Sequence, residues 1–324
     1  MQNHKRLLKL VQNILVVALF VGSIYLIAIN LNLQTLIEKS GEIKFWPTLA
    51  VILLSILGSV VRGLRLRDLT LIQLPLGSMT NISIVHSYLA TMLPFRLGEL
   101  ALPALLKKFA NYSLSKAFGK LVFIRIIDTG VILIVGVLLT LVISGLGYMK
   151  VASMVTFLGI LFFLAILKSD FALNIMRKIP GIRKGSGILE AVNEVTHKQY
   201  FQTLITTAAG WVITYAATYY AFQAVGLDIS LTVLLVAATV LTLSAVIPIQ
   251  TPGMVGTYEA IMLFVFSLFA IKGEGILEAI VLSHILSISI NTVIAAVSGG
   301  ILFVQGKKLD RTAVSPITLE GLQE

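Results

Sequence analysis

Cysteine is missing from all 324 residues. Disulfides, thiolate metal sites and thiol nucleophiles are thereby excluded. Charge is scarce: Asp, Glu, Lys and Arg make up 12% of the chain, about half the share of a typical soluble domain. The four histidines, His4, His86, His197 and His284, are scattered without metal-ligand spacing, so no metal or cofactor is expected. No Gly-rich phosphate loop is present either. "GIRKGSG" (181–187) lacks both the spacing and a preceding strand and reads as a basic loop.

What the chain has in abundance is apolar sequence, 57% of its residues, with a mean hydropathy of +0.96. Many runs approach the ~20 helical residues that cross a hydrocarbon core. The expected fold is all-α, a polytopic membrane helix bundle. Residues 7–29 follow His4, Lys5 and Arg6 and offer no small-residue cleavage site, which predicts an uncleaved first span rather than a signal peptide.

Eight spans are expected, near 9–30, 46–66, 118–143, 151–169, 200–225, 230–248, 256–271 and 276–304. Residues 80–107 remain, apolar but broken by Pro94 and Gly98. A re-entrant hairpin of two half-helices, entering and leaving on one side, fits them best, because irregular backbone at membrane depth needs shielding by protein or a wet cavity. With a cytoplasmic N-terminus this layout puts 19 Lys and Arg inside and 4 outside, a positive-inside pattern. Treating 80–107 as one ordinary span would move the Lys107–Lys120 cluster outside. Residues 1–309 therefore form a single transmembrane domain. Between spans, 31–45 reads as a short external amphipathic segment, 170–199 as the largest cytoplasmic loop, and 310–324 as a polar cytoplasmic tail.

Five charges sit within or at the edge of apolar segments: Arg96, Glu99, Arg125, Asp128 and Glu259. A charge at mid-bilayer costs roughly 2.5–3.5 kcal/mol on insertion scales, so the five are expected to pair or face water. Arg96–Glu99 and Arg125–Asp128 are each three residues apart, able to meet on one helical face. Glu259 has no basic neighbour nearer in sequence than Lys272, and Arg96 or Arg125 is its expected intramembrane partner. His86 and His284 read as hydrogen-bonded helix contacts, and Gly299–Gly300 as close helix packing.

Two stretches also match. "PFRLGE" (94–99) and "PGMVGTYE" (252–259) each run from a proline to a glycine four residues on and then to an acid. Pro94 and Gly98 break the first, and Pro252, Gly253 and Gly256 break the second. Interrupted hydrophobic segments at corresponding places in two halves mark transporter sites, and they point here to an inverted repeat.

On these motifs the chain resembles the lysylphosphatidylglycerol synthase transmembrane region, or flippase-like, family, which includes the flippase half of the multiple peptide resistance factor proteins. The family pattern is similar to "LPFRLGE" (93–99), then an arginine–acid pair like Arg125–Asp128, then a "PGGxGxxE" element like 252–259. "VVRGLRLRDL" (60–69) is similar to its basic segment. Three positions depart from it: Phe95 replaces a small residue, Ile124 a glutamate, and Met254 a glycine.

The resemblance implies translocation of a lipid, whether phospholipid, aminoacylated phospholipid or polyprenyl-phosphate lipid, rather than enzymatic aminoacyl transfer. In this reading Arg96 and Arg125 bind phosphate in a cavity framed by the breaks. Glu99, Asp128 and Glu259 balance them or take a cationic headgroup, and Glu259 can exchange partners with an arginine. The expected partners are membrane lipids with anionic or aminoacylated headgroups, with no nucleic acid, and the expected location is the cell membrane, with both termini cytoplasmic. A proton- or ion-coupled carrier of a small solute is the alternative, and a membrane-embedded enzyme the weakest reading.

Overall fold

A computed structural model of the chain describes residues 20–22, 24–25, 27–142, 194–244 and 251–314. The expected span at 151–169, most of the one at 9–30, most of the 170–199 loop with "GIRKGSG", and the tail past Val314 lie outside the described residues. Those described are helical and hold no strand, as the all-α reading expects.

After a short helix α1 (Leu33–Gly41) come α2 (Phe45–Thr70), α3 (Leu76–Met92), a 3-10 turn (Pro94–Leu100), α4 (Ala101–Ala110) and α5 (Leu114–Val142). Then follow α6 (His197–Ala224), α7 (Leu231–Ser244), a second 3-10 turn (Pro252–Met254), α8 (Thr257–Leu268) and α9 (Ile276–Val314). Among the described residues, α2 and the Ile276–Gly306 part of α9 are long and apolar enough to cross a membrane. The segments expected as spans at 230–248 and 256–271 contain helices of 14 and 12 residues. At ~1.5 Å per residue α8 reaches about 18 Å, less than the ~30 Å hydrocarbon core, and residues 245–248 of the other segment lie outside the described residues. α9 also runs past the expected tail boundary at 310, because no glycine or proline follows Gly306 before Val314 to stop it.

Contacts at the helix ends fix the direction of each element. At one end Lys116 pairs with Glu194 at 2.7 Å, and Gln199 donates to the carbonyls of Asp68 and Leu69. Ser78 reaches Gln305 there, and Phe109 lies against Gly306. At the other end the Asn32 N–H donates to Glu278, and the Lys44 N–H to the Ala224 carbonyl. So α3 and α4 start and finish at one end, with the first break between them. α7 and α8 start and finish at the other, where Ile229, Val233 and Phe266 share a core with Phe222 and Ile280. Among the described residues, the α2–α5 and α6–α9 stretches each place a 3-10 turn between two shorter helices.

Small residues let α2 and α3 approach. A Cβ on Gly63 would stand 2.7–2.9 Å from the hydroxyl, nitrogen and Cα of Thr80. Gly63→Ala should therefore lower stability by about 1–3 kcal/mol, read as a fall in the thermal unfolding midpoint. Gly299 and Gly300, expected at a tight packing site, have no atom of the described residues within 4 Å of a built Cβ. Their close-packing role is not observed, and Gly299→Ala should leave the midpoint unchanged.

Candidate functional site

The first break starts where Pro94 supplies no N–H and clashes with a continuing helix. The last bond of α3 runs from the Leu93 N–H to the Leu89 carbonyl, and the chain then tightens into the 3-10 turn. Gly98 lies so close to the end of α3 that a Cβ would fall on the Leu89 carbonyl and the Ala90 nitrogen. That approach carries Glu99 back over α3.

There Glu99 meets two helices. Its Oε2 lies 3.2 Å from Nε2 of His86 on α3, and both its oxygens accept from Nη2 of Arg125 on α5, at 2.6 and 2.7 Å. Arg125 Nη1 donates to Asp128 Oδ2 at 3.1 Å, the pairing that the three-residue spacing predicts. Asp128 Oδ1 accepts from Arg65 Nη1 at 2.6 Å, which also donates to Thr207 Oγ1 at 2.9 Å. Arg62, one turn before Arg65, donates to the Ser59 hydroxyl. The backbone of Arg96 lies in the break, while its side chain is outside the described residues.

The second break is built from left-handed backbone. Gly253, Met254 and Gly256 have φ of +63°, +59° and +84°, and the Thr251 hydroxyl donates across the turn to the Val255 carbonyl. The Gly256 N–H donates to Glu259 Oε2 at 2.6 Å. Glu259 Oε1 lies 2.7 Å from Nδ1 of His284 on α9, whose ring stacks on Tyr258 at 4.2 Å. Glu259 and His284 are buried, at 4% and 7% exposure. The described side-chain partner of Glu259 is thus His284, while Arg125 pairs with Glu99 and Asp128 instead. Gly256 aims its N–H into the carboxylate and fixes it in the first turn of α8, facing α9.

The two breaks touch. A Cβ built on Gly253 would lie 3.6 Å from the end of the Met92 side chain and from Ile288 Cδ1, and Ile288 is near the middle of the Ile276–Gly306 apolar stretch. The description of the lysylphosphatidylglycerol synthase TM region matches residues 13–295, a stretch that holds both breaks and both charge centres.

The chain belongs to this family. It is a membrane protein, as the apolar helices α2 and α9 independently indicate. No curated protein and no solved structure matches it.

Two departures of this lysylphosphatidylglycerol synthase TM region acquire a physical reading. Ile124 is buried in the apolar core around Met79, Leu106 and Leu121, so an acid there would lie among aliphatic groups. Met254 takes a left-handed φ that costs a residue with a Cβ about 1–2 kcal/mol, a strain glycine avoids.

Arg62 and Arg65 are the residues sequence reasoning missed, having been counted only among the cytoplasmic charges. Both already lie in the expected span at 46–66, and α2 continues past them to Thr70. Their three-residue spacing, on one face with Ser59, is the signal that could have found them. Without them the charge count is still seventeen inside against four outside.

Proposed function

We propose that this member of the lysylphosphatidylglycerol synthase TM family translocates a lipid with an anionic or aminoacylated headgroup across the cell membrane. The observation that carries this reading is the surplus of guanidinium at the first break. Three described arginine side chains, Arg62, Arg65 and Arg125, face two carboxylates, Glu99 and Asp128. All three Nε atoms are buried without a hydrogen-bond partner among the described residues, and Arg62 has no carboxylate partner there. Arg125 is the open member of the pairs, its side chain 39% exposed against 10% for Arg65 and Asp128. A phosphate oxygen fits such donors, since the planar guanidinium fork matches phosphate geometry. Glu99 and Asp128 are positioned to take the ammonium of an aminoacyl group.

Several features support transport rather than catalysis. Glu99 and Asp128 both accept hydrogen bonds from arginine, which engages them as charge partners. The opposed hairpins with touching breaks are what an inverted-repeat transporter would use, a re-entrant segment from each face meeting at mid-depth. The basic excess on the 70–76 and 110–116 side favours cytoplasmic termini. Exposed Phe45 and Trp46 at the opposite end suit a membrane–water interface.

Lipid retention tests the site. Protein purified in detergent and offered phosphatidylglycerol, lysylphosphatidylglycerol, a polyprenyl phosphate and phosphatidylcholine should keep one of the first three preferentially in native mass spectra. Arg62→Gln and Arg125→Gln should each cut that retention about tenfold, the scale of one charge-assisted hydrogen bond. Equal retention by the parent and both variants would contradict the assignment.

A further inference from the structure

We infer that Glu259 and His284 form a proton-binding site, the counterpart of the Glu99–Arg125 pair in the opposed half, whose occupancy sets the shape of the second break. The correspondence comes from topology. In each half a proline opens the break, and an acid follows, five residues on at Glu99 and seven on at Glu259. The acid's partner lies on the next long helix, Arg125 of α5 or His284 of α9. The chemistry of the two partners differs in one respect. Arginine is charged at every working pH, whereas histidine changes charge near neutrality.

The geometry of the pair favours a proton over any other cation. The described partners of Glu259 are the Gly256 N–H at 2.6 Å and His284 Nδ1 at 2.7 Å. The Gly256 N–H donates to Oε2, and with Glu259 as a carboxylate the hydrogen between Oε1 and His284 lies on Nδ1. A neutral His284 then leaves a buried negative charge, and a proton on Nε2 turns the pair into a neutral ion pair. A metal cation would meet the Gly256 N–H pointing at Oε2 and an imidazole N–H at Oε1, both repulsive.

Among the described side chains, no other ionisable group supplies this charge. α7 carries none. On α9, Glu278 accepts from the Asn32 N–H. On α3, His86 faces Glu99 and Tyr88 meets Thr292. α6 offers Tyr215 and Tyr219, and α8 the stacked Tyr258.

The link to the break is the Gly256 N–H, which belongs to the break and bonds directly to the titrating pair. Met92 contacts the same turn at Gly253, so a change there reaches the end of α3. Protonated, the two halves carry equivalent ion pairs; deprotonated, they do not. Use of this proton as a coupling ion rests on the translocation reading, but its binding does not.

The test is an NMR titration of the full chain in phosphatidylglycerol nanodiscs. The protein carries 15N-histidine together with labels on Gly256–Thr257, the chain's sole Gly–Thr pair. The His284 ring signals, identified by their loss in His284→Gln, should change with pH, and those of Gly256–Thr257 should change with them. Glu259→Gln should abolish the response at Gly256–Thr257. A His284 fixed in one protonation state, or one that titrates without moving Gly256–Thr257, would overturn the inference. Intact titration in protein that moves no lipid would uphold the proton site and count against the proposed function alone.

Discussion

Replacing Asp128 by alanine should lower stability by about 3–5 kcal/mol, the cost of stranding buried charge. Asp128 is the shared anion of two arginines, with Oδ1 on Arg65 and Oδ2 on Arg125. Its side chain and that of Arg65 are each 10% exposed. Without it Arg65 keeps the Thr207 hydroxyl but no described carboxylate, and Arg125 keeps Glu99 alone. Asn at this position should cost less, since an amide oxygen still accepts one hydrogen bond. The double variant Arg65→Met/Asp128→Leu should recover much of the loss, because removing both charges removes the stranded one. Unfolding midpoints of the three proteins in lipid nanodiscs check this. A single Asp128→Ala loss below about 1 kcal/mol, the range of exposed pairs, would show that these charges are not buried together.

Gly98→Ala is the second large effect. The new Cβ would meet backbone atoms, the Leu89 carbonyl and the Ala90 nitrogen, and backbone cannot rotate aside as a side-chain tip can. The first break must open, and Glu99 then withdraws from Arg125 and His86. Stability should fall by about 3 kcal/mol, the upper end for overpacking, and lipid retention should fall with it. Gly210→Ala, with no atom of the described residues within 4 Å of its built Cβ, is the matched control and should be close to neutral. Similar behaviour of the two variants would mean that Gly98 does not seat the turn on α3.

Much of this arrangement was legible in the sequence for identifiable reasons. Proline and glycine act on their own backbone, so both breaks could be located from Pro94, Gly98, Pro252 and Gly256. A three-residue spacing acts within one helix, so Arg125–Asp128 could be read directly. Glu259–His284 and Arg65–Asp128 could not, since each joins residues on different helices. Glu259 was assigned an arginine because charge balance alone favours one. The chain supplied instead a histidine together with a backbone N–H, whose direction depends on the φ of Gly256. The length of α8 was overestimated because hydropathy registers apolar character and not where helical hydrogen bonding stops.

The most direct measurement is the flux of headgroup-labelled lipid in vesicles that carry the purified chain. The vesicles contain labelled phosphatidylglycerol, lysylphosphatidylglycerol or a polyprenyl phosphate, and transfer between leaflets is followed by a reductant that bleaches only the outer one. One of these lipids should cross at a rate that rises with protein, and Arg125→Gln, shown to be folded, should reduce that rate at least about tenfold. No movement of any of the three by folded parent protein, or equal movement by parent and Arg125→Gln, would contradict the account.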